Sequence, residues 1–226
     1  VTWQQQLLLI GPMLLFSMVA HEYAHGWAAL RQGDPTAWQL GRLTWNPARH
    51  IDPFMTILLP VMLAMAGAPI IGGAKPIPVD PRNFRNRKRG DVIVSLAGVT
   101  ANLLIALACI PLAMLAGLLG AAVPPLAHPL ALLQRMAIMG IFLNMILVVF
   151  NLLPIPPLDG SHVFKYLLPP RLALAYTRLA GAGILVLVAL LYLVPGIRTV
   201  VVGPALLVQS FAERLYLPFL LPNPLS

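Results

Sequence analysis

The sequence predicts an all-α polytopic membrane protein, and three observations carry that prediction. Of 226 residues, 59% are hydrophobic and 10% are charged. The mean hydropathy is +0.83, and the apolar residues fall in runs of about 20, the length that crosses a bilayer as a helix. A soluble domain carries about 25% charged residues, so this chain cannot dress a globule in a hydrated surface. The net charge of +8 would suit nucleic acid only if it were gathered on one folded face. Instead the Lys and Arg residues lie between apolar runs, with Lys75, Arg82, Arg85, Arg87, Lys88 and Arg89 in one stretch. That is the pattern that orients a membrane protein. Nucleic acid is not expected as a partner, and the lipid bilayer is. The single Cys109 sits inside an apolar run and forms no intrachain disulfide.

The first run, Leu7 to Leu30, is long enough to span. Residues 1 to 20 carry no charge, unlike the basic start of a signal peptide, so this run is expected to be retained. Residues 31 to 53 are broken by Gly33, Asp34-Pro35, Gly41 and Asn46-Pro47, which predicts a loop with strand character. Phe54 to Gly72 is apolar but interrupted by Pro60, Gly67 and Pro69, so it is a short span or a re-entrant hairpin. Val92 to Leu119 and Leu132 to Leu153 are further spans, the latter ended by Pro154, Pro156 and Pro157, which lack backbone donors. Leu179 to Val194 is a fifth, and Val200 to Leu221 a sixth apolar stretch weakened by Pro204, Glu213-Arg214 and Pro218. Five to six transmembrane helices are therefore expected, with short strand-like loops near any active site. Charge favours re-entry of Phe54 to Gly72: loops 31–53, 75–90 and 165–178 then share one side and hold twelve of the fifteen Lys and Arg residues.

His21-Glu22-Tyr23-Ala24-His25 reads H-E-x-x-H. Residues four apart lie on one helical face, so the two imidazoles can share a metal ion while Glu22 stands beside it. Ionisable groups inside a span cost at least ~2.5 kcal/mol each, a cost that a bound dication relieves. A catalytic zinc needs a third protein ligand and one open position. Candidates are Asp34, Asp52, Asp80, Asp91, Asp159, His50, His128 and His162. Asp159 stands out because it follows a span through Asn151-Leu152-Leu153-Pro154-Ile155-Pro156-Pro157-Leu158. Such unwound backbone is tolerated at membrane depth only where it lines an enclosed cavity.

H-E-x-x-H in a first span, with N-x-x-P-x-x-P-L-D-G at 151–160, resembles the site-2 protease family of intramembrane zinc metalloproteases. Gly41-Arg42-Leu43-Thr44-Trp45-Asn46-Pro47, His50-Ile51-Asp52-Pro53 and Ala74-Lys75-Pro76-Ile77-Pro78-Val79 are similar to its compact members without extra domains. The resemblance implies a single domain over 1–226, with a catalytic core at about 7–165 and C-terminal helices at about 170–221. It implies one Zn2+ per chain, held by His21, His25 and Asp159, with Glu22 as the catalytic glutamate. Asn151 matches the motif asparagine that positions substrate or a developing oxyanion. Gly98-Val99-Thr100-Ala101-Asn102 matches the family's G-P-x-x-N except that Val99 replaces proline; Gly98 keeps a close-packing role, and Asn102 keeps a hydrogen-bonding one and is, like Asn151, a candidate to position substrate or an oxyanion. His50, close to a family motif, is a further substrate-positioning candidate, as well as a loop histidine bonded to backbone.

The same letters weigh against other proteases. Ser161 and His162 are adjacent, a poor arrangement for a nucleophile and its base, and a second intramembrane aspartate is missing. A zinc transporter or channel is the serious alternative, since it too keeps His and Asp in spans. It would not need Glu22 beside the metal. The expectation is an endopeptidase cutting within or near the transmembrane segment of a membrane-protein substrate, multi-pass in a prokaryotic cell membrane, with a regulatory membrane partner possible.

Overall fold

The computed structural model describes residues 3–65, 72–182 and 196–223, and these are helical or irregular, with no strand among them. Helix α1 is Trp3–Gln32, α2 Thr36–Gln39, α3 Leu59–Met65, α4 Arg87–Ala122, α5 Ala127–Leu152, α6 Asp159–Phe164, α7 Pro170–Arg178 and α8 Ile197–Tyr216. Three of the described helical stretches are long and apolar enough to cross a membrane: Arg87–Ala122, Pro124–Leu152 and Thr199–Phe219. Most of the fifth expected span, Leu179 to Val194, lies outside the described residues, as does part of Phe54 to Gly72. Pro204 is accommodated inside α8 rather than breaking it.

Packing is inverted relative to a water-soluble bundle. Large side chains point outward, with Leu104 61%, Leu115 52% and Leu207 72% exposed, whereas Ala106, Ala113, Ala137, Ala205 and Ala212 are each fully buried. Lipid offers leucine as good a solvent as a protein core does, so helix contacts are made by small residues that let backbones approach. Helix α4 packs along α5 and α1, and α8 packs against α5 and α4. Buried Gln134 on α5 joins three elements, donating to the Ala113 and Phe219 carbonyls and accepting from the Leu221 N–H. Its side chain is fully buried, and a buried amide needs such partners.

The strand-like loops expected near the site are corrected by the structure. Residues 31–53 form the short helix α2 and a 3-10 turn at Pro47–Arg49, and Gly72 to Asp80 runs as irregular chain. Pro35, Pro47, Pro53, Pro76 and Pro78 remove the donors that a ladder needs, and side chains satisfy the backbone instead. Asp52 accepts from Phe54 N–H and Met55 N–H. Arg42 donates to the Lys75 and Pro76 carbonyls. The chain leaving the Phe54 to Gly72 segment is bonded to the chain entering it: Gly73 N–H donates to Met55 O at 3.0 Å, Lys75 N–H to His50 O at 2.8 Å, and the Thr56 hydroxyl to Gly73 O at 2.6 Å.

Asp34 closes the turn after α1. It is fully buried and accepts from the Thr36 hydroxyl, Asn83 Nδ2 and the Asp80 N–H. Burial pushes its carboxyl up, but these hydrogen bonds outweigh burial and hold it below the usual carboxylate range. A carboxyl depressed by folding adds stability that is complete above its unfolded value of about 3.9 and is lost as pH falls through the lower folded value. Between about pH 5 and pH 3, the wild type should therefore lose stability that Asp34→Asn does not. Melting of both proteins in detergent across that range checks this, and parallel acid limbs would exclude the contribution. Asp34→Ala should cost about 1–3 kcal/mol near neutral pH by stranding buried donors.

Candidate metal centre

His21 and His25 project from one face of α1, as their spacing requires. Their Nε2 atoms stand 2.9 Å apart, and Asp159 Oδ2, from the first turn of α6, lies 3.2 Å from one and 3.3 Å from the other. The outer ring nitrogens are engaged elsewhere. His25 Nδ1 meets the Val94 carbonyl at 2.7 Å and His21 Nδ1 meets Asn102 Oδ1 at 3.0 Å. A carbonyl oxygen only accepts, so both Nδ1 atoms carry the proton, and in the neutral rings both Nε2 atoms present lone pairs inward.

Three acceptor atoms thus face one another, and Asp159 Oδ2 is buried without a hydrogen-bond donor. Such a set is repulsive on its own and suits a cation. Tetrahedral coordination with bonds of ~2.0–2.1 Å separates ligand atoms by about 3.3 Å, close to the separations seen. These three residues are the only cluster of its kind among the described residues. The neighbouring helix leaves room for it: a Cβ on Gly98 would lie 2.5 Å from His25 Nε2 and 2.7 Å from His21 Nε2. The residues present therefore fit a zinc ion.

Glu22, next along α1, is not part of the trio. Its Oε2 accepts the Ile77 N–H at 2.7 Å. Ile77 lies between Pro76 and Pro78, so it supplies the one backbone donor of that tripeptide, and its side chain packs where a Cβ on Gly26 would fall. Trp45 stacks on Tyr23 with centroids 4.6 Å apart, and on Phe16 at 6.3 Å. The loop carrying Trp45 is thereby seated on the same helix.

The remaining sequence candidates are dispersed. Asn102 contacts the cluster through His21. Asn151 donates to Leu147 O one turn back on α5. His50 is 1% exposed and bonded to the Thr44 carbonyl at 2.8 Å, the backbone-bonded loop reading. His162, one turn beyond Asp159, contacts Asp91. Val99 is buried within an unbroken α4, so the helix runs straight on where the family has proline. Sequence reasoning missed the Val94 carbonyl, the Ile77 amide and the packing of Asp91. The two backbone groups have no side-chain letter, although two prolines isolating one N–H were a usable signal.

The profile of peptidase family M50 matches residues 10–194. Among curated relatives, YwhC of Bacillus subtilis strain 168, named as a zinc metalloprotease, is 40% identical over 177 residues, covering 78% of this chain and 77% of its own. Rip2 of Mycolicibacterium smegmatis, named likewise, is 35% identical over 178 residues, covering 78% of this chain and 64% of its own. Rip2 of Mycobacterium tuberculosis strain H37Rv is 34% identical over 159 residues, 70% of this chain and 56% of its own. No solved structure matches.

Proposed function

The chain belongs to peptidase family M50, and from that membership we propose that it is a zinc endopeptidase that cuts a peptide bond within or near the transmembrane segment of another membrane protein. One observation carries the reading. Two imidazoles and a carboxylate converge with lone pairs inward, beside Glu22, against the N-terminal half of a helix apolar enough to span. His21, His25 and Asp159 are the ligands, one zinc per chain.

When bound, zinc supplies Lewis acidity, polarising a carbonyl and lowering the pKa of water toward ~7. Glu22 takes a proton from the attacking water and returns it to the leaving amine. The Ile77 N–H ties one carboxylate oxygen of Glu22 and leaves the other free for that transfer. Asn102 and the Val94 carbonyl fix the tautomers and orientation of the two histidines. A zinc transporter or channel, the other use of such ligands, has no role for a tethered carboxylate beside them.

The proposed topology has five crossings: α1, α4, α5, the Leu179 to Val194 segment and α8. Phe54 to Gly72 re-enters, a reading supported by the hydrogen bonds that join its two ends. The chain is then a single domain, multi-pass in a prokaryotic cell membrane, with its basic loops cytosolic and a place for a regulatory membrane partner. His21 and His25 lie past the midpoint of α1, which puts the chemistry in the cytosolic half.

A substrate helix must expose its backbone there, and each unpaired carbonyl in hydrocarbon costs several kcal/mol. Gly, Pro or Asn in the cytosolic third of a substrate span should therefore raise cleavage, and Leu should lower it. The test is purified protein, one zinc per chain by metal analysis, and cleavage rates over such a series in detergent and in liposomes. Chelation should abolish cleavage and zinc restore it. Equal rates for Leu-only and Gly-containing spans in both media would exclude unwinding as the selective step. Zinc flux in vesicles without proteolysis would favour the transporter.

A further inference from the structure

Asp159 is carried by α6, a helix of six residues. So short a helix does not hold itself in place in isolation, and its position must be imposed from outside. Upstream, Gly160 lies tightly against the Leu152 and Leu153 carbonyls at the end of α5. Downstream, the turn after Asp159 is gripped by one buried residue of α4. Asp91, 4% exposed, takes His162 Nδ1 on Oδ1 at 3.1 Å and the Tyr166 hydroxyl on Oδ2 at 2.8 Å. Lys165 Nζ pairs with the same Oδ2. All three partners come from the eight residues that begin with Asp159.

The register of α4 gives this grip its meaning. Val94 and Ser95 lie three and four residues beyond Asp91, Gly98 lies four and three beyond those two, and Asn102 lies four beyond Gly98, so Asp91, Val94, Gly98 and Asn102 form one stripe with Ser95 at its edge, and all are buried. Along that stripe, the Val94 carbonyl orients His25, Asn102 orients His21, and Gly98 makes room for both rings. Two of the three metal ligands are thus referenced to α4 directly. The third is referenced to it through Asp91.

We infer that Asp91 is a positioning residue for the metal centre, setting the place of Asp159 by holding the His162–Tyr166 turn against α4. The inference rests on Asp159 being a ligand. Apo protein in detergent is titrated with Zn2+ and with Co2+ against a chromophoric chelator, and the cobalt visible bands are recorded. Asp91→Ala should weaken both metals by about 10–100-fold and alter the cobalt bands. In an Asp159→Ala background the same substitution should have less than about a twofold further effect, because the group it positions is gone. His162→Ala and Tyr166→Phe, which remove single donors and leave Asp91 in place, should give smaller losses of the same kind and serve if Asp91→Ala does not fold. Wild-type affinity in Asp91→Ala, or in both single-donor variants where it does not fold, would overturn the inference, as would an equal loss in both backgrounds. Wild-type affinity in Asp159→Ala itself would instead overturn the ligand assignment, and the positioning role with it.

Discussion

Glu22→Gln is expected to keep one zinc per chain while cleavage falls by at least the ~10²–10⁴-fold that a positioned acid–base group contributes. The retained metal follows from geometry, since the three inward donor atoms belong to His21, His25 and Asp159. The retained fold follows from the hydrogen bond with Ile77, because a glutamine side-chain oxygen accepts that N–H as a carboxylate does. Only the capacity to take a proton is lost. Metal analysis beside a cleavage assay on a reconstituted membrane substrate separates the two. Undiminished cleavage would remove Glu22 from the chemistry, and lost zinc would mean that it does more than move a proton.

Gly98→Ala sets two physical effects against each other. In a helix interior, alanine is favoured over glycine by about 0.8–1.0 kcal/mol, so on propensity alone the variant should be more stable. Its Cβ, however, would stand 2.5–2.7 Å from atoms of both imidazoles, which are held from behind by Val94 and Asn102 and cannot both retreat. The clash exists without metal as well, so the expected result is an apo protein that melts no higher than wild type despite the better helix former, with zinc affinity reduced by about 10–100-fold and cleavage lost in proportion. Chelator competition and thermal melting check this, and wild-type affinity would show that the rings relax without cost.

Where the bilayer dictates the answer, the sequence was legible. Runs of about 20 apolar residues became the helices α1, α4, α5 and α8, and the stretches at α4, α5 and α8 are long and apolar enough to cross a membrane, where a chain has to satisfy its own backbone. The ends were less so. Helix α4 begins at Arg87, five residues before its apolar run, since the Asn86 side chain caps it by accepting the Arg89 N–H. Asp91, between the expected loop 75–90 and the span expected from Val92, lies inside that helix, and its packing therefore went unseen. H-E-x-x-H and L-D-G pointed to the three residues that converge, a set able to hold a metal ion, because chelation needs particular side chains at fixed spacing. The Val94 carbonyl and Ile77 amide were hidden because any residue supplies a backbone group. Asn151 and His50 matched motif letters, but a letter does not say which neighbour a side chain will find.

Gly26 and Ile77 meet as hole and knob across the helix that carries Glu22, and this contact constrains how the chain can drift. A methyl at position 26 would stand 2.4 Å from Cδ1, the tip of the isoleucine side chain, so that tip must swing aside to admit it while the amide stays on the carboxylate. A smaller residue at position 77 opens the space and makes Gly26→Ala easier to accommodate. In a library randomised at both positions and selected for proteolysis, survivors should therefore trade volume between the two sites. Alanine at 26 would be recovered more often beside a smaller residue at 77 than beside isoleucine.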